Sequence, residues 1–202
     1  MNIKIRKAMP TIEEGRIYAG FLDVAAEGFF KGILGENAYE YIAQAFLSED
    51  SSYSYKTASF VESDSQIVGM VSGYSTSDKE GFKEQSLRKL IGKSNIRLWM
   101  FSIVEIFLSN RMGPKGKGDF YIQAIAVDEK MRGHGVGKQL MEYIENRARK
   151  EGNTSISLDV SSKNSKAISL YEKRGMIKDS YWPKRPSPHF LTRMKRDFNL
   201  QD

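Results

Sequence analysis

Three glycines, Gly133, Gly135 and Gly137, fall within five residues of the stretch "MRGHGVGKQLMEYI". Glycine lacks a Cβ, so such a loop brings its backbone N–H groups close to a ligand. At the start of a helix those donors also lie at the positive end of the helix dipole. Phosphate is the natural guest, and Arg132 and Lys138 flank the loop with positive charge. A P-loop is excluded because Lys138 is followed by Gln139, not by the Ser or Thr that meets magnesium, and because the glycines stand too close together. A Rossmann turn fits poorly as well. Asp159 follows at a suitable distance, but G-x-G-x-x-G is absent.

The elements that must position this loop are read from periodicity. "NIKIRKA" alternates Ile3 and Ile5 with basic residues and predicts a strand. Thr11, with Glu14 three residues on, predicts a capping box opening a helix-rich stretch to Leu47. "YKTASFVES" and "QIVGMVSGYS", separated by Asp64 and Ser65, predict an antiparallel hairpin. Residues 78–118 read as a mostly helical insert around the apolar run "IRLWMFSIVEIFL". "FYIQAIAV" suits a strand covered on both faces. After the glycine loop, Val136, Leu140, Ile144 and Ala148 form one helical stripe. "TSISLDVSS" is a further strand, and "NSKAISLYEKRGM" a helix capped by Asn164 and stopped at Gly175. Two more strands, near 176–181 and 190–196, flank a loop with Pro183, Pro186 and Pro188.

Composition narrows the function classes. The chain has 202 residues, which predicts one soluble domain over 1–202. It contains no cysteine, which excludes disulfides, thiol nucleophiles and thiolate metal sites and fits a cytoplasmic location. Its two histidines, His134 and His189, argue against a histidine-rich metal site, so no metal is expected. The N-terminus has charge but no apolar core of a signal peptide. The apolar run 96–108 carries Arg97 and Glu105 and is too short to span a bilayer, so no membrane role is expected. The net charge of +6 points to a solvated basic face or an anionic ligand ahead of sequence-specific nucleic-acid binding.

The segment "IAVDEKMRGHGVGKQLMEYIENRARKEG" resembles the acetyl-coenzyme A binding motif of the GNAT superfamily of N-acetyltransferases, in which Q or R is followed by two residues, G, one residue, and G or A. Arg132, Gly135 and Gly137 match it. "NSKAISLYEKRGM" is similar to the family's downstream signature at Asn164, Ala167, Leu170, Tyr171, Glu172 and Gly175. The match is strongest over about Phe120 to Ile177. The resemblance implies an α/β (α+β) fold: a mixed, mostly antiparallel sheet of six to seven strands flanked by helices. It implies acetyl transfer from acetyl-CoA to a primary amine by direct attack in a ternary complex. Ile125, Ala126 and Val127 would pair with the pantetheine arm. Arg132, Gly133, His134, Gly135, Val136, Gly137 and Lys138 would hold the pyrophosphate, with Asn164, Ala167 and Tyr171 nearby. Tyr171 stands at the general-acid position, and the Val127 N–H would serve the oxyanion.

For the base, many members of that family use a glutamate on the strand before the loop, or a water relayed by several polar groups, and here the corresponding strand offers Gln123, an amide that cannot accept a proton. The candidates are Asp119, Glu62, Glu105 and His189, acting directly or through a water held by Gln123. Candidate acceptor-site residues are Phe29, Phe30, Tyr39, Trp99, Phe101 and the segment "YWPKRPSPHF". The acceptor is a small-molecule, peptide or protein amine. The apolar insert would alternatively form a lid or a contact in a homodimer. The missing carboxylate at Gln123 also leaves open a non-catalytic acyl-CoA-binding module of the same fold.

Overall fold

In a computed structural model of the chain, which describes residues 3–82, 116–182 and 191–198, the first alternating segment forms strand β1 (Ile3–Lys7). Thr11 then takes extended backbone, φ −115°, and its hydroxyl accepts the Glu14 N–H at 3.2 Å, opening helix α1 (Ile12–Ala25). Half of the expected capping box forms. The Glu14 carboxylate does not return to Thr11, whose N–H donates to Met9 O. It accepts instead from the Met9 N–H at 2.7 Å and from Arg6 at 2.8 Å, tying the helix start to β1.

Helix α2 (Phe29–Leu34) and helix α3 (Ala38–Phe46) complete the helical stretch. α1 and α3 approach closely where a Cβ on Gly15 would lie 2.9 Å from Ala43 O, so the packing there demands glycine. Asp64 and Ser65 both have positive φ, as a type I′ turn requires. They join β2 (Ala58–Ser63) to β3 (Gln66–Ser75) as the expected hairpin. Ser75 and Asp78 form a complete capping box on the short helix α4 (Thr76–Gly81). Most of the expected 78–118 insert, including Trp99, Phe101 and Glu105, lies outside the described residues, as do His189 and the loop with Pro183, Pro186 and Pro188.

β4 (Asp119–Val127) is buried on alternate and often successive positions, as expected of a strand covered on both faces. The glycine loop leads into helix α5 (Val136–Lys150). Its stripe of Val136, Leu140, Ile144 and Ala148 is at most 1% exposed. Burial of Leu140 and Ile144 contributes about 1.5–3 kcal/mol each. That outweighs the penalty of about 1 kcal/mol for a glycine, Gly137, within the helix. β5 (Ser155–Ser161), α6 (Ser165–Glu172), β6 (Ile177–Trp182) and β7 (Leu191–Asp197) follow.

The described strands form a seven-stranded sheet in the order β1-β2-β3-β4-β5-β7-β6, antiparallel except between β4 and β5. α1 to α3 cover one face around Phe60, Met70 and Ala124. α5 and α6 cover the other around Val71, Ile122, Ile156, Leu158 and Met194. The single parallel pair exists because α5 carries the chain back over the sheet, as a crossover between parallel strands must.

Candidate functional site

β4 and β5 pair at four positions, from Asp119↔Ser155 to Ile122↔Leu158, and then part. β4 continues to Val127 on its pairing with β3 alone, and β5 continues to Ser161 on its pairing with β7. The divergence begins where β4 carries an extra residue. Ser72 pairs with Ala124 and Gly73 with Ile122, which leaves Gln123 as a β-bulge, a device that bends one strand away from its neighbour. Beyond it no described strand pairs with the β5-side edge of β4. Asp128 N–H donates to Val68 O on β3, so strand alternation turns the Val127 and Ile125 N–H groups to the opposite, open edge.

The glycine loop sits at the carboxyl end of this edge. Gly133 and Gly135 have φ of 83° and 81°, and a Cβ on either would meet nothing within 4 Å. No described backbone carbonyl takes the N–H groups of residues 133–138 at good hydrogen-bond geometry, although the turn over 132–135 engages at least one of them weakly. A run of donors without strong partners therefore gathers at the head of a 15-residue helix, where its dipole adds about half a positive charge. Arg132 and Lys138 are exposed or half-exposed beside them. Arg132 Nε donates to Val127 O at 3.3 Å, and His134 Nδ1 lies 3.1 Å from Arg132 O, which keeps the imidazole on the loop.

Across the opening, Asn164 Oδ1 accepts the Ala167 N–H at 3.1 Å and so starts α6, as its spacing predicts. α6 is half-buried, with Ala167, Leu170 and Tyr171 against the α5-side core. The Tyr171 hydroxyl has no partner among the described residues. Among those residues Arg196 Nε is the one side-chain polar atom both shut off from solvent and unpartnered, so the Tyr171 hydroxyl reaches solvent. Burial of its ring pushes the Tyr171 pKa up to about 12. It therefore stays a neutral donor across the physiological range.

On the α1 face, Gln123 Oε1 accepts from Tyr18 at 3.2 Å and from Ser72 at 3.3 Å. Beside it, Asp159, the first residue of β5 past its pairing with β4, accepts from Tyr121 at 3.1 Å. Arg193 on β7 holds the same carboxylate with two donors, at 3.0 and 2.5 Å. Sequence reasoning passed over Tyr18, Ser72, Tyr121 and Arg193. Sequence spacing weighs Asp159 only as the acid of a Rossmann turn, and its partners are 34 and 38 residues away in sequence.

The base candidates fall apart in space. Asp119 is 1% exposed at the closed end of the β4/β5 pair, where Ser155 and Ser157 donate to it at 2.9 and 2.7 Å. Gln123 lies four residues further along β4. At the usual rise of a strand that is about 13 Å. Glu62 is on β2, two strands from β4, and pairs with Arg6 at 2.6 Å. Glu105 and His189 lie outside the described residues. Of the acceptor-site candidates, Phe30 packs with α1 and α3 in the core, while Tyr39 donates to Asp23 at 3.2 Å.

Burial raises the phenol pKa of Tyr18, Tyr74 and Tyr121, as it does that of Tyr171. A phenol whose folded pKa exceeds its unfolded value keeps its proton more tightly when folded. Its stabilisation is complete below about pH 10 and declines as pH rises beyond it. Each such tyrosine should steepen the loss by about 1.4 kcal/mol per pH unit. Urea unfolding between pH 9 and 11 should show this decline, with a slope in Tyr18→Phe flatter by about half that amount on average over the range; an equal slope in the variant would contradict the assignment.

Among the described residues no cluster of three or more His, Cys, Asp or Glu side chains could hold a metal ion, and no helix is long and apolar enough to cross a membrane. The sequence profile of the Acetyltransferase (GNAT) family matches residues 22–176, well over half of the chain. No curated protein sequence matches it. Among solved structures it is similar to an acetyltransferase at 21% identity, with 96% of this chain and 99% of the other covered and a TM-score of 0.67. An N-acetyltransferase from Staphylococcus aureus Mu50 is 18% identical over 96% of this chain and 100% of its own, also at 0.67. The NatC complex bound to Gag peptide and CoA contains a chain 14% identical, with 98% and 99% covered and a TM-score of 0.56.

Proposed function

The chain belongs to the GNAT acetyltransferase family, and from that premise we propose that it transfers an acetyl group from acetyl-CoA directly to a primary amine of a small molecule, peptide or protein. The observation that carries this reading is the junction of the weakly engaged N–H donors at the head of α5 with the edge of β4 that no described strand pairs. The donors fit a pyrophosphate, and the open space over Gly133 and Gly135 leaves room for one. The Ile125 and Val127 N–H groups fit the amide-bearing pantetheine arm as a strand would.

Bound there, acetyl-CoA would supply a thioester whose carbonyl carbon takes the amine nitrogen as its C–S bond breaks, and the proton that the nitrogen sheds passes through water to the departing thiolate. Val127 N–H, on the open edge, donates to the carbonyl oxygen as negative charge gathers on it. Tyr171, raised to about 12, is a poor full acid toward a thiolate of pKa about 8.5 but a sound hydrogen-bond donor to the departing sulfur. Gln123 accepts two hydrogen bonds at Oε1, which leaves its NH₂ group to hold a water.

The test is release of free thiol from acetyl-CoA in the presence of a panel of small primary amines and peptides with free N-termini. Amine-dependent release supports the reading, and coenzyme binding with no release across the panel would favour a binding module instead. Gly135→Ala places a Cβ in the cradle at a positive φ. Alanine adopts that backbone angle at a cost of about 1–2 kcal/mol. Calorimetric titration should show coenzyme A bound about tenfold or more weakly by this variant, with its fold retained. Unchanged affinity would remove the loop from the site.

A further inference from the structure

Two hydrogen-bonded groups stand side by side on the α1 face where β4 and β5 part: Tyr18 and Ser72 on Gln123, and Tyr121 and Arg193 on Asp159. Tyr74 lies between them. It is opposite Tyr121 in the β3/β4 register, with ring centroids 5.8 Å apart. The charges of Asp159 and Arg193 act on its hydroxyl, and Tyr74 in turn acts on Tyr18. Its side chain is 8% exposed and its ring packs edge-on against Phe82 at 5.0 Å. Yet its hydroxyl has no hydrogen-bond partner among the described residues, and, like that of Tyr171, it still reaches solvent.

Packing alone does not call for that hydroxyl, since a phenylalanine would fill the same space. A phenol oxygen that opens to solvent at this depth is available to a ligand, and the groups on either side of it are already engaged with one another. We propose, resting on the acetyl-transfer reading above, that the Tyr74 hydroxyl is the contact that receives the acceptor's amine nitrogen, from the face of the sheet opposite Tyr171. Its oxygen accepts one N–H of the neutral amine, which turns the nitrogen lone pair toward the gap between the strands. Burial keeps the phenol neutral there, so it acts by positioning and takes no proton.

The probe is coenzyme A alkylated on sulfur with an N-butylcarbamoylmethyl group, whose amide N–H stands where the attacking nitrogen would. This conjugate and plain coenzyme A are titrated calorimetrically against the wild-type protein and Tyr74→Phe. The proposal expects Tyr74→Phe to bind the conjugate about fivefold more weakly, as the loss of one neutral hydrogen bond implies, with coenzyme A affinity unchanged. Equal affinity of both proteins for the conjugate overturns the role of Tyr74 while leaving the coenzyme site standing. Parallel weakening for both ligands overturns it too, because it marks a structural effect. If the wild-type protein binds neither ligand, the acetyl-transfer reading fails first, and this inference fails with it.

Discussion

Tyr171→Phe is expected to lower kcat by about 10²- to 10³-fold, the usual cost of removing one donor aimed at developing charge. Coenzyme A affinity should change little, because the proposed binding site consists of the loop amides and the β4 edge. The substitution deletes one oxygen that has no partner within the described protein, so stability should hold. A combined loss of kcat and fold would point to packing, and unaltered kcat would show that the departing sulfur finds its hydrogen bond elsewhere. The pH profile adds a second check. A phenol at about 12 stays protonated, so loss of activity on its account should begin only near that value. A basic-limb pKa near 8 that disappears in Tyr171→Phe would contradict the neutral-donor role.

Glu145→Ala is expected to destabilise the protein by about 3–5 kcal/mol, because it strips the counter-ion from a buried cluster of charges. Glu145 on α5 is 5% exposed and accepts from Arg174 Nε at 3.2 Å, Arg174 Nη2 at 2.5 Å and Arg196 Nη2 at 2.9 Å. Arg196 also donates to Arg174 O and stacks 5.4 Å from the Phe198 ring centroid. One carboxylate thus joins α5, the segment after α6, and β7. Removing it leaves two guanidinium groups facing each other in a poorly solvated space. Urea denaturation reads the effect directly, and a loss under about 1 kcal/mol, the range of an exposed ion pair, would mean that water reaches the arginines. Replacing Glu145, Arg174 and Arg196 together with methionines should recover part of the loss, because the penalty comes from unpaired charge and not from lost volume.

The glycine loop of the candidate site was legible in the sequence because its shape is local. A glycine run between a strand and an amphipathic helix encodes its own shape, since positive φ at Gly133 and Gly135 and the weakly engaged donors at the head of α5 follow from a few neighbouring residues. The hairpin turn at Asp64 and Ser65, the Asn164 cap and the α5 stripe were readable for the same reason. Short-range rules gave the identity of these elements, and the two matching motifs gave their family.

Tertiary structure decided what depends on pairing across the sheet. Nothing in "FYIQAIAV" marks Gln123 as a bulge, because a bulge is defined by the register with β3. Nor does the sequence show that β4 and β5 part after Ile122 and Leu158, which creates the open edge. The capping box at Thr11 and Glu14 half-failed for a related reason: Arg6 and Met9 compete for the carboxylate from outside the helix. Asp119 and Asp159 look alike in sequence, as single acids in or beside β-strands. Folding buries the first against Ser155 and Ser157 at the closed end of the pair and sets the second, clamped by Arg193, where the strands separate. A side chain's type fixes the chemistry it can do, but its surroundings fix whether it does that chemistry. Those surroundings come from residues that only the folded sheet brings together.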